Sequence, residues 1–258
     1  MRLEFLDLSS EERRVYFEQA GQQRGVLPVI LEKDFWVCWM LAVLFDSDFG
    51  DALVFKGGTS LSKVFGTIDR FSEDIDLSVS PEMLNLRLVD PRTLSRNQAN
   101  RWMEEAEAAC GKFVVEQLQP YLEAQIAAAL GPHPTAWLEF MIDPLTRSPV
   151  LLFYYPCGEP EGFAYLRRSV KLEFGSLTDQ QPAGHHPVRP WVATELPQAF
   201  GDWQCSVIAL ELERTFWEKA TILHVEWHRP PERATPDRFS RHYSDMAALA
   251  AHEVANTA

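Results

Sequence analysis

Apolar positions along this chain fall into runs whose period changes several times, and each change marks an element. Ser9 followed three residues later by Glu12 has the form of a capping box, and the pattern behind it predicts a helix through Phe17 toward Gly21. Pro28 suits a first helical turn and predicts a second helix reaching about Phe45. Its stretch from Phe35 to Phe45, FWVCWMLAVLF, is apolar on every side. A membrane span needs about 20 such residues, so a buried helix is the better reading. The run from Asp51 to Phe55 predicts a buried strand that stops at the turn Gly57-Gly58, with a short helix over Thr59 to Val64 capped by Thr59 or Ser60. Ile75 to Val79 alternates apolar and polar residues, a strand signature.

Residues 81–92 read as a loop. From about Pro91 to Leu130 the composition predicts one or two long helices broken near Gly111 or Pro120. Strands are predicted over Trp137 to Ile142, Val150 to Tyr155 and Ser169 to Phe174, and a loop over 176–191. Helices are predicted over Leu212 to His228 and about Arg238 to Glu253, interrupted by Arg229-Pro-Pro-Glu-Arg. The order predicts an α+β protein: a sheet core over residues 1–175 with a helical insert at about 91–130, then a helical C-terminal part over 176–258.

Charge narrows the chemistry. Lys+Arg total 24 and Asp+Glu 37, a net charge of −13. Such a chain has no general attraction for nucleic acid or anionic membrane, so contact with RNA requires a local basic site, for which Arg167, Arg168, Arg238 and Arg241 are candidates. Cys38, Cys110, Cys157 and Cys205 are far apart and form no C-x-x-C pair, which predicts reduced thiols and a cytoplasmic protein. The opening MRLEFLDLSSEERR has no apolar core of a secretory signal.

The informative stretch is F-K-G-G-T-S-L-S-K from Phe55 to Lys63, followed by R-F-S-E-D-I-D-L from Arg70 to Leu77. Asp74 and Asp76 are two apart on a predicted strand, so both carboxylates leave one face, about 6.5–7 Å apart at the backbone. They repel unless a cation lies between them, and hard oxygen ligands of this kind suit Mg²⁺ completed by phosphate oxygens. Gly57 and Gly58 let the backbone approach a ligand, Thr59 and Ser60 add hydroxyls, and Lys63 one turn on would neutralise phosphate charge. Against this stands an ordinary turn beside two solvated aspartates, although D-x-D is a poor strand former and its place in an apolar strand wants a reason.

This combination resembles motif I of the AbiEii/AbiGii nucleotidyltransferase toxins, within the DNA polymerase β-like nucleotidyltransferase superfamily. The resemblance continues at Glu32-Lys33-Asp34-Phe35-Trp36, Val170-Lys171-Leu172-Glu173-Phe174, Arg214 to Lys219, and Arg241-His242-Tyr243-Ser244-Asp245, spanning about residues 28–250 in order. It implies that Gly57, Gly58, Thr59 and Ser60 hold a triphosphate, that Asp74 and Asp76 bind Mg²⁺ (or Mn²⁺), and that Lys219 and Asp245 are the later catalytic pair. Glu173 is the candidate third acid. Lys171, on the same strand face, would contact the nucleotide, or the two would form a surface ion pair. The family further implies an NTP substrate, an RNA acceptor of which tRNA is known, and a separate antitoxin. Members usually continue with further helices after the last motif, which makes a shortened C-terminus an expectation for this chain.

Two other readings compete. One is a nucleotide-binding module of the same fold with little or no transfer activity. The other is a zinc hydrolase built on His224 and His228, which have helical ligand spacing but no evident third ligand. Glu32, Lys33 and Asp34 are expected to hold the N-terminal helix to the core, and Arg214 to serve structure.

Overall fold

A computed structural model describes residues 3–87, 89, 93–158, 167–177 and 179–258. The first capping box forms: Glu12 N–H donates to Ser9 Oγ (3.2 Å), Ser9 N–H donates to Glu12 Oε2 (2.8 Å), and α1 runs over Ser10–Arg24. Pro28 opens α2 (Pro28–Phe45). α2 can be apolar all round because α1 packs along it on one side and the sheet on the other. Trp36 lies edge-on to Phe35, Trp39 and Phe153 and stacks on Tyr155 at the centre of this core. Among the described residues no helix is long and apolar enough to cross a membrane.

The strands β1 (Leu53–Lys56), β2 (Ile75–Val79), β3 (Leu138–Ile142), β4 (Pro149–Phe153), β5 (Val170–Gly175), β6 (Ala183–Val188) and β7 (Cys205–Leu210) form one mixed seven-stranded sheet in the order β3-β4-β5-β2-β1-β7-β6. β2 runs parallel to β5 and β1 parallel to β7; the other neighbours are antiparallel. Side-chain alternation sends Ile75, Leu77, Leu172 and Phe174 into the main core and leaves Asp74, Asp76, Lys171 and Glu173 on the opposite face.

Three expectations change. The short helix α3 spans Gly57–Lys63, starting at the glycines with Lys56 as N-cap, rather than behind Thr59 or Ser60. Residues 176–191 are not simply a loop: Ala183–Val188 is β6, paired with β7, and the sheet therefore continues past position 175 into the part expected to be helical. The long helical stretch is unbroken at Gly111. It runs as α4 (Arg96–Phe113), a π segment (Val114–Leu118) and α5 (Gln119–Leu130). The π segment ends two residues before Pro120, whose missing N–H a wider turn accommodates without a break. After β6 come α6 (Trp191–Glu195) and α7 (Pro197–Phe200), then α8 (Leu212–Trp227) and α9 (Ser240–Ala251) follow β7. Leu61 of α3, Ile68, Leu212 of α8, Leu249 of α9 and Val254 make a second, smaller apolar cluster.

Three consecutive polar residues of α2 brace the structure, as expected. Glu32 Oε1 accepts from Gly158 N–H (2.9 Å), and Lys33 Nζ donates to Glu73 Oε2 (2.6 Å) and to the Arg167 carbonyl (2.9 Å). Asp34 Oδ1 accepts from Lys63 Nζ (2.6 Å) and Oδ2 from Trp191 N–H (2.7 Å). Lys63 and Asp34 are both almost completely buried, and the ammonium also lies 4.8 Å from the Trp191 ring centre. Burial disfavours the Lys63 charge, but Asp34 outweighs it and holds the group above the ordinary lysine range. Lys63→Met leaves Asp34 with no counter-ion and is expected to lower unfolding stability in urea by about 3–5 kcal/mol. Adding Asp34→Asn should recover most of that loss.

Candidate active site

The candidate site lies where β1, β2 and β5 run side by side. Lys56, Asp76 and Glu173 stand in register across the three strands, and Asp74 precedes Asp76 on the same face. Gly57, at φ +83°, opens α3 directly against Asp76: a Cβ there would lie 2.1 Å from Asp76 Oδ2. This is the close approach for which the turn needs glycine. At Gly58 a Cβ would lie 2.6 Å from Arg70 Nη2, so the second glycine makes room for a guanidinium.

Nearly every charge around the aspartates is matched. Glu173 Oε2 accepts from Lys171 Nζ (2.7 Å), which also donates to Asp143 Oδ2 (2.8 Å). Glu73 takes Lys33, with Arg238 Nη1 at 3.9 Å. Asp245, fully buried in α9, accepts from Arg70 Nε (2.7 Å) and Nη2 (2.9 Å) and from Lys219 Nζ of α8 (2.9 Å). On this face the carboxylates of Asp74 and Asp76 have no hydrogen-bond or ion-pair partner among the described residues. Burial pushes the Asp76 carboxyl up to about 6; Asp74 and Glu173 add to the rise, and Lys56 and Lys219 oppose it. Burial, then Glu73, likewise raises Asp74, against Lys171, Lys33 and Arg241. For Asp245 burial works upward, but Arg70 and Lys219 outweigh it and hold the carboxyl below its usual range.

The structure thus brings together Gly57, Gly58, Asp74, Asp76, Glu173, Lys171, Lys219 and Asp245. It does not bring Lys63, which turns into its pair with Asp34. The hydroxyls of Thr59 and Ser60 are not offered to a ligand either. Both residues are completely buried, and Thr59 Oγ1 donates to the Asp74 carbonyl (2.5 Å), pinning α3 to the start of β2. Sequence reasoning passed over Lys56, Arg70 and His242. Arg70 belongs to the quoted R-F-S-E-D segment, but its partner Asp245 lies 175 positions away and no local pattern announces the pairing.

The donor set fits Mg²⁺. Two half-buried, unmatched carboxylates on one face are what that ion takes when phosphate and water oxygens complete its octahedron. Among the described residues no three or more His, Cys, Asp or Glu side chains converge as a metal site. His224 and His228, with ring centres 4.6 Å apart, therefore lack the third ligand a zinc hydrolase needs.

The mixed sheet, its flanking helices and this acidic face define the class, an α+β protein with a nucleotidyltransferase fold. Residues 39–258 match the family described as Nucleotidyl transferase AbiEii toxin, Type IV TA system, and the chain belongs to that family. No curated protein matches the chain.

His242 Nδ1 is buried without a hydrogen-bond partner among the described residues, and the ring is held to a pKa of about 4 by burial and by Lys219 and Arg241, against Asp245. Between that value and the ordinary 6.5, the unfolded chain carries a proton that the folded chain refuses. This contribution to stability is complete above the upper value and falls as pH drops toward the lower one. Asp76 works in the opposite sense over the same range, since its raised carboxyl binds a proton first in the folded chain. The His242 part is therefore read as a difference: between pH 7 and about pH 5, His242→Gln should lose about 1–2 kcal/mol less stability in urea unfolding than the wild type.

Proposed function

We propose that this chain is a Mg²⁺-dependent nucleotidyltransferase that moves a nucleoside monophosphate from an NTP to a hydroxyl of an RNA acceptor, as the toxin of a pair silenced by a separate antitoxin. One observation carries the reading: Asp74 and Asp76 share a strand face and lack side-chain partners among the described residues, and Asp76 presses against the glycine that opens α3. Those two carboxylates would hold the ion, with Mn²⁺ an acceptable substitute for oxygen ligands. When bound, the ion stabilises the charge that develops as pyrophosphate departs.

The acceptor oxygen bonds to the α-phosphorus, the bond from that phosphorus to the bridging oxygen breaks, and pyrophosphate leaves with the electron pair. Lys219 and Lys56, the cations acting on Asp76, would offset phosphate charge. The hydroxyl proton needs a carboxylate. Asp245 is a poor acceptor because both its oxygens are occupied by cations, so we assign the proton to Glu173, in register beside Asp76. An RNA acceptor is supported by exposed arginines at one edge of the site. Lys33 ties the Arg167 backbone to Glu73, Arg238 approaches Glu73 from the other side, and Arg241 acts on Asp74. Among RNAs, tRNA is the acceptor that the family resemblance implies.

The test is incubation with each labelled NTP, Mg²⁺ and total RNA. Label should pass to RNA, and Asp76→Ala should reduce transfer by at least about 100-fold. Binding of NTP with no transfer to RNA or protein would favour the inactive binding module. Arrest of growth on expression should disappear with Asp74→Ala; arrest persisting in a folded variant counts against the toxin role. Mg²⁺ should raise the Tm of the wild-type protein and leave that of Asp76→Asn unchanged.

A further inference from the structure

We propose that Arg70 contacts the polyphosphate of the nucleotide directly, and that Asp245 is the residue that positions it. The inference rests on the nucleotidyl-transfer reading above and adds to it a cation that lies outside the helices and strands. Arg70 sits in the irregular segment between α3 and β2, 29% exposed, with its guanidinium over Gly58.

Three features separate this arrangement from a structural salt bridge. First, the charges do not cancel: Asp245 is one anion held between two cations, Arg70 and Lys219. A buried pair needs only one cation, and a surplus positive charge in a half-buried setting is costly unless an anion completes it. That surplus faces the cleft side, since Lys219 acts on Asp76. Second, the guanidinium is only partly used. Nε and Nη2 are fixed by the two oxygens of Asp245, while Nη1 has no partner among the described residues. The fork is locked on one side and open on the other, the geometry in which arginine reads phosphate with little further loss of freedom. Third, the guanidinium packs closely on the glycine turn: a Cβ at position 58 would lie 2.6 Å from Nη2, so a side chain there would push Arg70 out of its bidentate hold on Asp245. Asp245, completely buried and out of reach of substrate, acts through Arg70 and Lys219.

Equilibrium binding of NTP and of the matching NMP, both with Mg²⁺, tests the proposal on the full chain. A group that touches the polyphosphate discriminates between the two ligands, whereas a residue that only supports the fold does not. Arg70→Ala is expected to weaken NTP binding about tenfold and NMP binding by less than about twofold, the loss of one charge-assisted contact. Arg70→Lys should lose part of the NTP affinity, and added guanidinium should restore Arg70→Ala toward wild type. Asp245→Asn should weaken NTP binding in the same sense, and the loss in the double variant should fall well short of the sum of the single losses, since Asp245 acts in part through Arg70. Equal losses for NTP and NMP, or an unchanged NTP affinity, overturn the role of Arg70. If Arg70→Ala does not fold, as judged by its melting curve, Arg70→Lys alone decides by the same ratio. A wild-type protein that binds no NTP overturns the nucleotide reading itself, and this contact with it.

Discussion

Two carboxylates on alternate positions of one strand, neither directly paired with a cation among the described residues, set the terms for everything around them. Desolvating a carboxylate is unfavourable, and two together more so. The fold answers with confinement rather than neutralisation. β1 and β5 flank the acids in register, Gly57 closes against Asp76, and Thr59 binds the carbonyl at Asp74. The acids nearby have been given their cations: Lys171 for Glu173, Lys33 for Glu73, Arg70 and Lys219 for Asp245. What stays unmatched is confined to the place where an external cation would serve.

The bracing of this region comes from the second turn of the deeply buried helix α2. Glu32, Lys33 and Asp34 are consecutive, so they leave α2 in three directions about 100° apart. Each finds different segments: the Gly158 backbone, Glu73 with the Arg167 carbonyl, and Lys63 at the end of α3 with the Trp191 backbone. One helical turn thereby ties the segment before β2, the residues preceding β5 and the start of α6 to a common support. A polar triplet in an apolar helix is tolerable only because all three side chains are satisfied.

What could be read from the residues in order was whatever depends on near neighbours. The Ser9 capping box, Pro28 opening α2, the alternation of β2 and the shared face of Asp74 and Asp76 are local, and they appear as expected. β7 escaped notice because CSVIAL is a short apolar run next to a helix, and β6 because AGHHPV is loop-like until β7 pairs with it. Lys63 was drawn toward the phosphate reading by its place one turn past the glycines. Its true partner is Asp34, 29 positions back, and Trp191 lies further off still. The register of Asp76 with Glu173 and the grip of Asp245 on Arg70 are likewise long-range facts, invisible to any window of the chain.

The parallel pairing of β2 with β5 and the reach of α9 back to Arg70 have a consequence for timing. Parallel neighbours require a long excursion before they can meet, and the last member of the cationic cluster comes 175 positions after the arginine it holds. A ribosome working along the message therefore produces the glycine turn and both aspartates early and the α9 carboxylate late. While those 175 positions are being added the nascent polypeptide carries the acids without the groups that organise the cleft, and competence arrives only once α9 has been made.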